Sequence, residues 1–179
     1  MKKLILMLLI STTSFSQSKT YASLQGDVRN GTFGSSPTNN KAKLDMLLRF
    51  GAIGTAGVGV GIKGGIVIEK FNAIDFNKYC AEVGYDLGNL KLKGDFEVLG
   101  IRILDLSKFD FQTSIEFGWI ERYKMNSWCV GSNVDIIYFF NDHIGFIVTN
   151  NLLSRTDLNE LYGGNNWMFS NYAGVTYKF

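Results

Sequence analysis

The segment WMFSNYAGVTYKF, Trp167 to Phe179, sets Trp167, Phe169, Ala173, Val175, Tyr177 and Phe179 on one face and Met168, Ser170, Tyr172, Gly174, Thr176 and Lys178 on the other. Successive side chains of an extended chain point to opposite sides, so period-two alternation predicts a β-strand. One face is large and apolar, and the other is small or polar. The strand therefore separates two environments, and it ends on an aromatic carboxy-terminus.

The other end of the chain begins Met1, Lys2, Lys3, runs apolar from Leu4 to Ile10, and turns small and polar through Ser11, Thr12, Thr13, Ser14, Phe15, Ser16 and Gln17. A basic start, a short apolar stretch and small residues are the pattern of a cleaved secretory signal. We assign residues 1–17 to the signal, with cleavage near Ser16, and residues 18–179 to one exported domain. The apolar run is far short of the ~20 residues of a membrane-spanning helix. No Cys follows it, which argues against a lipid anchor.

The leader takes Lys2 and Lys3 with it, which leaves 16 basic residues against 16 acidic ones. A neutral chain without a basic stripe lacks the electrostatic footprint of nucleic-acid binding. Charged residues are 19% of the chain, against ~25% in ordinary soluble domains. The single proline, Pro37, falls in the Gly-, Ser- and Asn-rich stretch from Asn30 to Asn40, which reads as a loop. Two cysteines, Cys80 and Cys129, are too few for a disulfide scaffold. Their expected positions at opposite ends of the sheet predict free thiols, since a disulfide needs Cα atoms roughly 5.5 Å apart.

Alternation recurs from Gly57 to Lys70, Phe76 to Gly88, Asp95 to Leu106, Phe109 to Glu121, Trp128 to Phe140, His143 to Asn151 and Trp167 to Phe179. Two earlier segments alternate as well, Thr20 to Val28 and Ala42 to Ala52, the latter with Ala42, Leu44, Met46, Leu48, Phe50 and Ala52 on one face. Nine candidates exceed an even number by one. A single-chain barrel with both termini at one end needs an even count. Eight strands are expected, with one early segment as the first; ten would also satisfy the rule. Residues 18–41 then form either an amino-terminal extension or the first strand plus its loop.

Counting back from Phe179, the turns at Asn141–Asp142, Ser107–Lys108 and 72–75 are expected at the carboxy-terminal, periplasmic end. The connections 89–94, 122–127 and the long, polar 152–166 are expected at the other. Trp119, Trp128 and Trp167 all fall at that outer end on the apolar face. Tyr79, Phe109, Phe111, Tyr138, Phe140, Tyr177 and Phe179 are assigned to the inner end of the same face. Two aromatic belts around an aliphatic band are the girdles of a membrane-spanning barrel. A soluble, lipocalin-like binding barrel is the alternative, with its apolar face turned inward.

With its leader ending Phe15, Ser16, Gln17, three Trp at one rim and the terminal Gly174, Val175, Thr176, Tyr177, Lys178, Phe179, the chain resembles the small bacterial outer-membrane β-barrel proteins of the OmpA and OmpX type. The resemblance covers the whole mature chain. It implies an all-β, antiparallel transmembrane barrel in a Gram-negative outer membrane, exposed at the cell surface. Gly174, Tyr177 and Phe179 would be its assembly signal, read by the barrel-assembly machinery, with outer-membrane lipids around a monomer.

The face opposite the aliphatic band carries Lys63, Glu82, Arg102, Glu116 and Asp135 near mid-strand. Charges at membrane depth must face an interior and pair. Lys63 with Glu82 and Arg102 with Glu116, with Asp135 beside Glu116, would fill the lumen as a salt-bridge network. Eight strands enclose a space just wide enough for side chains, which argues against open conduction. The only histidine, His143, follows the Asn141–Asp142 turn and lies at the inner rim, away from any nucleophile arrangement, so no catalytic residue is assigned and an enzyme is not expected. Asp157, Asn159, Glu160 and Gly163 match no Ca²⁺ loop spacing. The alternating Gly57, Gly59 and Gly61 enter a strand, not a helix, and suit a crowded lumen better than a phosphate cradle. No cofactor or metal is expected. These features favour a structural or surface-interaction role through outer loops of unknown ligand, with porin-like or lateral transport of a small or hydrophobic solute as the alternative.

Overall fold

The computed structural model describes residues 18–28, 45–55, 61–71, 76–88, 95–98, 101–122, 125–164 and 167–179. The expected signal segment, residues 1–17, lies outside them. Eight antiparallel strands close into a barrel, and a separate two-stranded hairpin is inserted in one connection. The barrel strands are β1 (Ser18–Asp27), β2 (Met46–Thr55), β3 (Gly61–Phe71), β4 (Phe76–Asp86), β7 (Phe109–Arg122), β8 (Met125–Phe139), β9 (Ile144–Arg155) and β10 (Trp167–Lys178). β5 (Asp95–Val98) and β6 (Ile101–Asp105) form the hairpin, followed by a 3₁₀ turn at Leu106–Lys108. A short helix, α1 (Thr156–Tyr162), joins β9 to β10.

Every neighbouring pair in the barrel is sequential except two. β4 skips the hairpin to pair with β7, and β1 pairs with β10 to close the ring. At the closure Tyr21 faces Lys178, and the Phe179 amide donates to the Thr20 carbonyl at 2.9 Å. The terminal residue is thus hydrogen-bonded into the seam.

Both early segments are barrel strands, and the superfluous candidate is Asp95 to Leu106. The chain reverses inside it, so that Val98 lies opposite Ile101. Two short strands in a hairpin alternate much as one long strand does, so alternation conceals the reversal. Moving this segment out of the wall changes the end to which earlier connections belong. Phe71 and Phe76, which flank 72–75, pair at the end where Phe76 meets Arg122, so that connection belongs to the tryptophan end and not to the Phe179 end. β4 finishes at the Phe179 end, where the Leu87 amide donates to the Phe111 carbonyl at 2.7 Å. The expected outer connection 89–94 therefore starts from the inner end, although those residues themselves lie outside the described set.

Tyr79 moves with this correction. It stands opposite Trp119, their ring centroids 6.0 Å apart, and belongs to the tryptophan girdle. Trp119 in turn faces Trp128. The opposite girdle holds Phe109 against Tyr138 at 5.0 Å, Tyr138 against Phe140 at 5.7 Å, and Tyr177 against Phe179 at 4.8 Å.

Between the girdles the outer wall is apolar and exposed. Val83, Ile115, Phe117, Val134, Phe169 and Val175 are each at least half accessible. The interior is the reverse: Arg49, Lys63, Glu69, Lys78, Glu116 and Asp135 are buried to within 1%. A water-soluble barrel has the opposite arrangement, and the lipocalin-like alternative fails on both faces.

Candidate functional site

The lumen holds the ionisable side chains, and its elements follow from the inward parity of each strand. Arg49 of β2 is its centre. The guanidinium reaches Glu82 on β4 at 2.5 Å and Asp135 on β8 at 2.6 Å. Lys63 of β3 completes the set, 2.8 Å from Asp135 and 3.6 Å from Glu82. Two cations and two carboxylates balance. The remaining oxygens are also bonded, since Tyr21 and Ser114 donate to Glu82 at 2.6 and 2.9 Å and Thr149 donates to Asp135 at 2.7 Å. Strands β1, β2, β3, β4, β7, β8 and β9 are thereby tied through one cluster. Tyr21 reaches it because Gly51 and Gly65 carry no side chain there; a Cβ on either would lie within 3 Å of the tyrosine hydroxyl.

A second cluster lies toward the tryptophan end. Lys78 of β4 sits between Glu69 of β3 at 2.8 Å and Glu116 of β7 at 2.7 Å. Tyr172 donates to Glu69 from β10. Asn151 and Asn133 donate to Glu116 at 2.9 and 3.3 Å. Around them pack Leu47, Val67, Phe71, Ile120 and Leu153, all buried. Cys80 and Cys129 also meet here, their sulfurs 3.5 Å apart as free thiols. The expectation that they lie at opposite ends is wrong. Both are opposite Gly118 on the strand between them, and the glycine leaves the space over which they touch. Being two strands apart, about twice 4.8 Å, they remain beyond disulfide reach without backbone movement.

At the tryptophan end α1 follows β9 and packs against β8. Arg155, at the end of β9, binds Asp157 through Nε and Nη2, both at 2.7 Å, and Arg122 approaches the same carboxylate at 3.5 Å. Thr156 donates to the Trp128 carbonyl, and Ser127 donates to Glu160 at 2.8 Å. The segment 152–166, expected as a solvated loop, instead continues β9 to Arg155 and buries Arg155 and Asp157 to 1% exposure. Its exposed turn is Gly163 and Gly164, with φ of 72° and 87°, where glycine is the residue that fits. Burial works to raise the Asp157 carboxyl, but its bonds to Arg155 and the nearby Arg122 charge outweigh this and hold it below the usual range.

Lys63, Glu82, Glu116 and Asp135 are thus all inside, but Lys63 and Asp135 belong to one cluster with Glu82, whereas Glu116 belongs to the other. Arg102 does not enter the barrel wall at all; it lies on β6, opposite Glu97. Its place as the lumen guanidinium is taken by Arg49. The signal for Arg49 was present, as it interrupts the face opposite Met46, Leu48 and Phe50. His143 is exposed at the inner rim, with Nδ1 2.9 Å from the Lys178 carbonyl and its ring stacked on Tyr177. Among the described residues no three His, Cys, Asp or Glu side chains gather as metal ligands. In the inner half of the lumen remains a cavity of about 10 Å³, lined by Tyr21, Arg49, Lys63, Gln112 and Ile137 among others, room for about one water molecule.

No protein family and no curated protein matches the sequence. Among solved structures the chain is similar to a de novo designed transmembrane β-barrel, at 11% identity and a TM-score of 0.46, over 93% of this chain and 98% of that one. It is also similar to Neisserial surface protein A, at 12% identity and a TM-score of 0.42, over 90% of this chain and 95% of that one.

Arg49→Met leaves two buried carboxylates to a single ammonium and should destabilise the barrel by about 3–5 kcal/mol. Arg49→Lys, which cannot bridge both acids through a planar fork, should recover only part of that loss. Urea unfolding of the protein folded into lipid vesicles measures both. The Asp157 latch has a defined acid limit. With its carboxyl below the unfolded value of ~3.9, its contribution is complete above that pH and is lost as pH falls through the lower, folded value. Protection of α1 amides, relative to unstructured amides at the same pH, should be full at pH 5 and fall below about pH 4, whereas Asp157→Asn should lack it at pH 7.

Proposed function

We propose that this chain is a closed outer-membrane barrel with a structural or surface-interaction role, carried by what it presents at the tryptophan rim. The observation that supports this most strongly is the lumen. Among the described residues it is crossed by two bonded charge clusters, and the cavity beside Arg49 and Lys63 has room for about one water molecule.

The apolar wall and its two aromatic girdles fit a bilayer, where hydrocarbon replaces the water that such a surface would otherwise face. A strand barrel satisfies its backbone within the ring, which is the condition for crossing hydrocarbon. The leader supports export, and the hydrogen-bonded Phe179 at the seam suits a terminal strand that assembly machinery reads and then closes against β1. Outer-membrane lipids are then the surrounding solvent. Transport through the lumen would require breaking both clusters, and no observation favours it.

Two measurements test this reading. Unboiled samples from outer-membrane fractions should migrate differently from boiled ones in SDS gels, because a closed barrel resists the detergent until heated. The same protein in planar bilayers should give no stepwise conductance at neutral pH. Sustained ion currents from the native chain would replace the closed-barrel reading with transport, and recovery of the protein from the soluble periplasm would remove the membrane reading altogether.

A further inference from the structure

The two thiols of the lumen have no part in the function proposed above. Cys80 and Cys129 are buried to 3% and 0% exposure, and their sulfurs stand 3.5 Å apart. They come from β4 and β8, across Gly118 of the intervening β7. A disulfide needs a sulfur separation of ~2.05 Å and Cα atoms within ~7 Å, which strands two apart do not offer. The sulfurs converge, yet not on the geometry of a disulfide.

Their separation is close to the edge of a sulfur-ligated metal site. With metal–sulfur bonds of ~2.3 Å, two sulfurs of a trigonal or tetrahedral site lie about 3.8–4.0 Å apart. Opening the pair from 3.5 Å by roughly 0.3–0.5 Å, within the reach of side-chain rotation, meets that distance. A third sulfur belongs to the same neighbourhood. Met168 of β10 packs against the apolar group that holds both thiols, and its Sδ is 3.5 Å from Nη1 of Arg155, the residue directly opposite Cys129. The nearby carboxylates are already engaged, Glu69 by Lys78 and Tyr172, and Glu116 by Lys78, Asn133 and Asn151. What is left for an ion is a set of soft donors in an apolar setting. Thiolate and thioether together select copper(I) over cations that seek oxygen, and three donors fall short of the four that a structural zinc takes.

We propose that Cys80 and Cys129 bind a soft monovalent cation of the copper(I) class, with Met168 as the third ligand. Both thiol protons leave on binding, so the bis-thiolate complex of Cu⁺ carries one negative charge. The Arg155 guanidinium beside the Met168 sulfur stands where it offsets that charge. The expectation that no metal is bound is replaced by this proposal.

The test is copper retention by the full chain folded into phosphatidylcholine vesicles, with folding checked by heat-dependent gel mobility. Cu⁺ kept reduced by ascorbate is added during folding and, in a second sample, after it, and loose ion is removed with a water-soluble chelator. The native chain should retain about one copper, and X-ray absorption at the copper edge should show only sulfur neighbours at ~2.3 Å. Cys80→Ala and Cys129→Ala keep small apolar side chains in an apolar group, so each should fold, and each should lose affinity about tenfold or more. Met168→Leu should fold and leave a shell of two sulfurs. Folded native chain that retains no copper by either route would overturn the proposal. So would oxygen or nitrogen neighbours in the native spectrum, which decides the matter even where a variant does not fold. Retention unchanged in both Cys variants would overturn it as well, by showing an adventitious ion only.

Discussion

The pairing of Arg49 with Glu82 and Asp135 is the interaction on which the rest of the structure depends. Turning a barrel inside out places its charges in a space filled mostly by side chains, and there each charge must be matched by another or by a hydrogen bond. Arg49 suits this task because its planar fork serves two acids from different strands at once, while Lys63 takes the remaining oxygen of Asp135. Glu82 and Asp135 then have donors from β1, β7 and β9, so the cluster holds the ring across its diameter as well as around its circumference. The glycines at 51 and 65 follow from the same constraint. Their missing side chains let Tyr21 reach the cluster.

From this centre the lumen is filled outward in layers. Lys78 with Glu69 and Glu116 forms the next, set among apolar side chains and the two thiols, and the Arg155–Asp157 latch forms the last. The first two layers tie strands that are distant in sequence, β2 to β8 and β3 to β10, and the latch ties β7 and β9 to α1. The function we propose is a consequence of this filling. On that proposal the bonded lumen passes no solute, and what the molecule offers is its rim and its outer wall.

Much of this architecture was legible from alternation. Period two marks all eight barrel strands, because a wall between two environments imposes opposite chemistry on successive residues. It located Lys63, Glu82, Glu116 and Asp135 inside for the same reason. What it could not separate was one strand from two short ones. Asp95 to Leu106 keeps its alternation through a reversal, and that single error placed Arg102 in the lumen, shifted Tyr79 to the wrong girdle and reassigned the connection at 72–75. Two other features were illegible for a different reason. The meeting of Cys80 with Cys129 depends on the curvature of the ring over Gly118, and the inward fold of α1 depends on Arg155 and Asp157, two residues apart, closing on each other. Composition made that segment look solvated because it is polar, although its polar groups bind one another.

The central claim is that the polar face of every strand points into a closed lumen and the apolar face into lipid. Nitroxide scanning along β10, one position at a time from Phe169 to Tyr177 in reconstituted vesicles, tests this most directly, since oxygen relaxes labels in lipid and a water-soluble nickel chelate relaxes labels in water. Labels at Ala173, Val175 and Tyr177 should respond strongly to oxygen, labels at Ser170, Tyr172 and Thr176 should respond weakly to both, and the two sets should alternate without a break. Strong nickel response at the inward positions would contradict it by showing a water-filled lumen, and loss of alternation would contradict the barrel wall itself.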